Sequence, residues 1–220
     1  MRGVNEIMTA AGPAHVALDQ PEDGTPAFLV VLTHGAGGNP DTADVLAVRD
    51  AARALGAATV LVTQPYRVKG ARAPGSAQKQ DAAWAELVEV LRRETSGDGA
   101  GLPLVQCGRS NGARVACRTA RQAGAVGVIA LAFPLHPPGQ PGKSRDPELR
   151  GAGTSVLVVN GERDPFGVPE PDEMTSVVIL PGETHALSKH PAAVGLAVTT
   201  WLSALLPPRG ATPRTPRLRT

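Results

Sequence analysis

The sequence predicts an α/β fold, a mostly parallel sheet with helices on both faces, and three observations carry that prediction. Short apolar runs of strand length alternate along the chain with longer stretches of helical spacing, the pattern of parallel strands joined by crossover helices. The runs are continuously apolar, as in Phe28-Leu29-Val30-Val31-Leu32, which is expected of strands covered on both faces. Polar loops rich in glycine follow the carboxyl ends of these runs, and in open parallel sheets that is where ligands bind.

Taken in order, His15 to Leu18 reads as a weak first strand, followed by a turn through Pro21-Glu22-Asp23-Gly24. Phe28 to Leu32 is the first fully apolar strand and ends at Thr33-His34-Gly35-Ala36-Gly37-Gly38. Asp41 to Leu55 has helical spacing through Val45, Val48 and Ala52 and stops at Gly56, a glycine placed as a helix terminator. Thr59 to Val62 is a strand, left by Gln64-Pro65-Tyr66-Arg67 and a loop to Ser76. Gln80 to Glu94 repeats the helical spacing through Trp84, Leu87, Val88 and Leu91. Leu102 to Cys107 is a central strand and Asn111 to Gln122 the helix after it. Three further strands are expected at Val126 to Phe133, Ser155 to Val159 and Ser176 to Leu180, with a closing helix from Pro191 to Leu206.

At 220 residues the chain is long enough for one well-buried domain and short for two, so residues 1–206 are expected to form a single domain. Residues 207–220 are proline, threonine and arginine with little to bury, and are expected to be a disordered basic tail. There are 22 Lys and Arg against 20 Asp and Glu, and Arg209, Arg214, Arg217 and Arg219 outweigh that excess. The body is therefore not basic, which argues against nucleic acid as a partner. Glu6 interrupts the only candidate for a secretory leader, and no apolar run approaches the roughly 18 residues of a membrane span. A cytoplasmic protein with no membrane partner is expected. Cys107 and Cys117 fall in a predicted strand and helix and read as small core residues of a reducing compartment.

The turn between the central strand and its helix is Gly108-Arg109-Ser110-Asn111-Gly112, a Gly-x-Ser-x-Gly pattern. Five residues of this kind occur by chance in glycine-rich chains, but the position between strand and helix gives them a use. A serine on so sharp a turn is held in a strained conformation with its hydroxyl proud of the sheet edge, and small residues two positions either side keep neighbours clear. The helix start behind it offers free N–H groups and partial positive charge for an oxyanion. Further loops holding His34, Asp164 and His185 each follow a predicted strand. The order nucleophile, acid, histidine is that of the α/β-hydrolase triad.

These features resemble the α/β-hydrolase superfamily, in a compact branch without a lid domain similar to dienelactone-hydrolase-like proteins. They also resemble the hydrolase-like domain of a subunit of the NSL histone acetyltransferase complex. The resemblance runs from Phe28 to Leu206 and rests on His34-Gly35-Ala36-Gly37, Pro65-Tyr66-Arg67, the Ser110 turn, Pro134-Leu135-His136-Pro137-Pro138-Gly139, Gly161-Glu162-Arg163-Asp164-Pro165-Phe166-Gly167 and the segment around His185. It implies Ser110 as nucleophile, Asp164 as acid, His185 as base, and an oxyanion hole from the N–H of Asn111 and of Ala36 or Gly37. The histidine segment departs from the family pattern, reading Gly182-Glu183-Thr184-His185-Ala186-Leu187 where Gly-Gly-Asp-His-Ser-Phe is expected. Asn111 stands where methionine or glutamine is commoner.

Glu162, Asp172 and Glu183 compete with Asp164 for the acid role. Asp164 is favoured because Gly161 and Pro165 fix a tight turn just past a strand end. His34 reads as a support of the glycine loop, and His190 as a solvent-exposed residue at a helix start. Arg67 and His136 are candidate substrate contacts, and Arg67, Arg109 and Lys143 suggest a preference for anionic acyl groups. The histidines and cysteines lack metal-ligand spacing and no phosphate-binding glycine motif is present, so no metal and no cofactor is implied. The expected partner is a small-molecule acyl substrate: a small or soluble ester, thioester or lactone, given the short proline-rich stretch from Phe133 to Ser155. A non-catalytic interaction module and an acyltransferase with the same triad are the alternatives.

Overall fold

The computed structural model describes residues 5–21, 24–95 and 101–206; the expected tail, 207–220, lies outside them. Eight strands form one sheet: β1 (Asn5–Thr9), β2 (Gly12–Asp19), β3 (Phe28–Thr33), β4 (Ala57–Thr63), β5 (Leu104–Arg109), β6 (Gly127–Leu131), β7 (Ser155–Gly161) and β8 (Thr175–Leu180). Their order is β1-β2-β4-β3-β5-β6-β7-β8. β1 pairs antiparallel with β2 and β2 antiparallel with β4, and all other pairs are parallel. Helices α1 (Ala43–Ala54), α2 (Pro65–Val68), α3 (Ala77–Thr95), α4 (Asn111–Ala123), α5 (Asp146–Arg150) and α6 (Pro191–Leu205) complete the fold.

The continuous apolar runs are explained by burial on two sides. In β3, Phe28, Val30 and Leu32 face a core shared with α1 and α6, while Leu29 and Val31 face a second core built with α3. The face beyond β5 is filled by α4, whose Ala113, Ala116 and Ala120 meet Val128, Ala130, Phe133 and Leu149. Strand order reverses at β3: the chain goes from β3 through α1 to β4 on one side, then through α3 to β5 on the other. Such a reversal opens a crevice at the strands' carboxyl ends, here between the loop after β3 and the turn after β5.

Three elements are absent from the sequence reading. β1 presents only Ile7 to the core and leaves Met8 exposed, so an edge strand of this kind carries almost no hydrophobic pattern. Helices α2 and α5 span four and five residues, too few for a helical period to register. The remaining elements lie within a few residues of their expected positions. Cys107 and Cys117 are buried free thiols, and burial pushes the Cys117 thiol up to about 12. No helix among the described residues is long and apolar enough to cross a membrane.

Candidate active site

The turn after β5 is strained. Ser110 has φ 51° and ψ −111°, a left-handed conformation that costs a non-glycine residue about 1–3 kcal/mol and persists only when its surroundings enforce it. They do so here through close approach on both sides. A Cβ on Gly108 would run into the backbone of Gly112, and a Cβ on Gly112 would lie 2.6 Å from the carbonyl oxygen of His34. Ser110 N–H donates to Leu131 O at 2.8 Å, so β6 holds the turn from its other side.

Strand ends from across the sheet bring the partners of this serine. Ser110 Oγ lies 2.9 Å from His185 Nε2, and His185 Nδ1 lies 2.9 Å from Asp164 Oδ2. A carboxylate only accepts, so Nδ1–H donates to Asp164 and the unprotonated Nε2 accepts from the serine hydroxyl. The Asp164 carboxylate is fully buried and the His185 ring is 21% exposed. Phe166 meets that ring edge to face at 4.4 Å. Its N–H donates to Asp164 Oδ1 at 2.9 Å.

Three side chains hold this arrangement: Asn160, which has no role in the sequence analysis, and Arg109 and Glu183, which have other roles there. Asn160, at the end of β7, accepts from Phe133 N–H and donates toward Phe133 O, Gly167 O and Asp164 Oδ2, tying the Asp164 loop to the end of β6. Its signal in the sequence is a polar residue closing an apolar run. Arg109 pairs with buried Asp44 at 3.0 Å and donates to the carbonyl of His185 at 2.8 Å. The strained turn is thus bonded to the histidine loop. Glu183 is 1% exposed and its Oε1 accepts from the N–H groups of Lys189 and His190, both at 2.7 Å. Its carbonyl accepts from Arg163 N–H at 2.8 Å. The unusual glutamate of the histidine segment therefore folds the loop that carries His185 and pins it to the loop that carries Asp164.

The other acid candidates are engaged elsewhere. Glu162 is exposed and caps Gly182 N–H; Asp172 pairs with Arg150 at 2.7 Å and caps Met174 and Thr175. His34 is fully buried, accepts from Gln64 N–H at Nε2 and donates from Nδ1 to Gly35 O. Burial holds its pKa below the ordinary 6.5, against the opposing effect of the Gly35 bond, so it is a neutral brace of the glycine loop. Tyr66 donates to Ala36 O at 3.0 Å, and burial pushes its phenol up to about 12. His190 is exposed, immediately before α6.

Arg67 donates to Gly38 O and Ala71 O. It braces the loop from behind and is not among the cleft-lining residues, and neither are His136 and Lys143. The His136 ring bonds Pro137 O. The amides of Ala36 and Gly37 donate no hydrogen bond to described residues, and Asn111 N–H, first in α4, is one of the orphan donors of a helix start. The Asn111 side chain donates to Gln80 Oε1 at 2.7 Å.

These groups line an open cleft of about 590 Å³ whose walls include Ala36, Gly37, Ser110, Asn111 and His185. A second, apolar cavity of about 240 Å³, walled by Tyr66, Trp84 and Leu87, shares Pro74 with the cleft. Gln80 lines that cavity and Asn111 lines the cleft, so the bond between them stands at the partition.

The alpha/beta hydrolase domain model matches residues 26–187. Curated protein sequences give no match. Among solved structures, a lidless α/β serine hydrolase from Xanthomonas campestris superposes with a TM-score of 0.73 at 20% identity, over 96% of this chain and 97% of that one. A serine hydrolase homologue from Coxiella burnetii gives 0.74 at 16%, over 91% and 97%. Dienelactone hydrolase from Anabaena variabilis gives 0.72 at 17%, over 94% and 98%. At these identities the likeness is one of fold.

Proposed function

Because the chain belongs to the α/β hydrolase domain family, we propose that it is a serine hydrolase that cleaves a small or soluble ester, thioester or lactone through an acyl-enzyme on Ser110. The observation that carries the reading is the unbroken run of two 2.9 Å hydrogen bonds from the strained Ser110 hydroxyl through His185 to buried Asp164. In the proposed reaction His185 Nε2 takes the hydroxyl proton as Oγ attacks the acyl carbon, and Asp164 holds the tautomer and stabilises the imidazolium. The tetrahedral oxyanion accepts from the N–H of Asn111 and of Ala36 or Gly37, donors fixed before the charge develops. The imidazolium then protonates the departing alcohol, thiol or lactone oxygen. Water, deprotonated by the same histidine, releases the acid and restores Ser110.

The names of the structural neighbours, serine hydrolases and a dienelactone hydrolase, support the same class. The test is labelling with a fluorophosphonate, which reacts with an activated serine. The wild-type chain should be labelled at Ser110 alone, and Ser110→Ala should lose both the label and ester hydrolysis. Undiminished labelling of Ser110→Ala would remove the nucleophile assignment, and no labelling of a folded wild-type chain would favour a non-catalytic interaction module. Product analysis with added alcohol or amine separates hydrolysis from acyl transfer.

A further inference from the structure

The cleft walls include three arginines, Arg109, Arg114 and Arg145, and no aspartate or glutamate. Two of the three charges are matched behind the wall. Arg109 is paired with Asp44, and Arg114 grips Glu148 through its Nε and Nη2 edge at 2.8 and 2.6 Å. The neighbouring Arg118 grips Asp81 through the same edge at 2.8 and 2.7 Å and shares Glu148 through Nη1. Arg145 is different. Only its Nη1 is engaged, with the carbonyl oxygens of Pro134 and His136 at 3.4 Å. Among the described residues its Nε and Nη2 edge has no acceptor, and no carboxylate lies within ion-pair distance of it; Glu148, gripped by Arg114 and Arg118, acts on it only from further off.

The backbone that carries this side chain is held in place. Arg145 N–H donates to Leu135 O at 2.7 Å, and the residue occupies the N-cap position of α5. Burial and then repulsion from Arg114 hold its pKa below the ordinary guanidinium value, with Glu148 opposing and Arg118 adding to the repulsion. An anion beside it would relieve both costs, because a charge already partly desolvated gains more from a partner than one in bulk water. The free edge is the one that closes two parallel N–H···O bonds on a carboxylate, as its two neighbours demonstrate.

We infer that the cleft takes an ester bearing a carboxylate away from the reacting carbonyl, and that Arg145 is the residue that reads that carboxylate. The inference rests on the hydrolase reading and names its substrate class. Of Arg67, Arg109 and Lys143, from which the sequence suggests an anionic preference, only Arg109 lines the cleft, and it is already paired with Asp44; in this reading Arg145, in the loop after β6, carries the preference.

The experiment compares p-nitrophenyl valerate with mono-p-nitrophenyl glutarate, which differ only in a terminal methyl or carboxylate. The wild-type chain should favour the glutarate by at least about tenfold in kcat/KM. Arg145→Gln should lose that preference, mainly through KM, and Arg145→Lys should regain part of it, since lysine restores the charge without the planar fork. In parallel, binding of monoethyl glutarate to Ser110→Ala should disappear in Ser110→Ala/Arg145→Gln. Valerate hydrolysis without a glutarate preference, or equal loss on both esters in Arg145→Gln, overturns the inference and leaves the hydrolase reading standing. Binding that depends on Arg145 in a chain that hydrolyses neither ester supports the carboxylate site and overturns the hydrolase reading. Neither hydrolysis nor binding overturns both.

Discussion

At the scale of single residues, the four carboxylates that compete for the triad are separated by what each one touches. Asp164 is the one bonded to His185, so Asp164→Asn should stay folded yet lose at least about a hundredfold in kcat, because an amide cannot hold the imidazole in the required tautomer. Glu162 and Asp172 hold backbone turns at the surface, and Glu162→Gln and Asp172→Asn should remain within about fivefold of the parent. Glu183 is the instructive case. The sequence sets it beside Glu162 and Asp172 as a competitor for the acid role, but Glu183→Ala would take the acceptor from the part-buried N–H groups of Lys189 and His190, at about 1–3 kcal/mol of stability. It should lower both the melting temperature and kcat, whereas Glu183→Gln keeps an oxygen acceptor and should be milder. Parallel melting curves and steady-state kinetics check the set; a Glu183→Ala variant as stable and active as the parent would show that its loop is held without it.

At the scale of elements, the strand, turn and helix around Ser110 depend on two close approaches that only glycine permits. In α4 the missing Cβ of Gly112 allows the helix to sit against His34 O, and at the end of β5 that of Gly108 allows the chain to fold over Gly112. Gly112→Ala and Gly108→Ala should therefore each cost several kcal/mol or prevent folding, within the range for overpacking a filled site (about 1–3 kcal/mol, occasionally more). Gly37, in the loop after β3, has nothing within 4 Å of a Cβ and no positive φ, so Gly37→Ala should melt within about 2 °C of the parent. Thermal denaturation of the three variants measures the contrast. Comparable destabilisation at all three would mean that the loop after β3 is as tightly packed as the turn.

At the scale of the whole molecule, the reversal of strand order at β3 places the cleft, and the short connection between β6 and β7 leaves it without a cover. That connection contains only the five-residue α5, and the nearby apolar cavity is separated from Asn111 by the Gln80 bond. Short acyl esters should therefore turn over faster than long ones, with kcat/KM falling steadily across a series from acetate to laurate. A long chain would lie on an open surface without gaining the burial that a closed pocket supplies. A preference for acyl groups beyond about ten carbons would show that the apolar cavity opens to substrate.

The sequence by itself determined the alternation of strand and helix, because burial on two faces writes continuous apolar runs and crossover helices write a second period. It also determined Ser110, Asp164 and His185 as candidates, since each ends up beyond the carboxyl end of a strand and each lies in a turn with its own local chemistry. Where the order of strands in space mattered, it was silent. Arg145 meets the cleft only because β6 lies beside β5, Arg109 reaches the histidine loop across several strands, and Glu183 matters through bonds to amides that no spacing announces. Charges of like kind, such as Arg67, Lys143 and Arg145, look alike in a sequence. They differ by the carbonyl or carboxylate that each meets after folding, and contacts between residues far apart in the chain decide that.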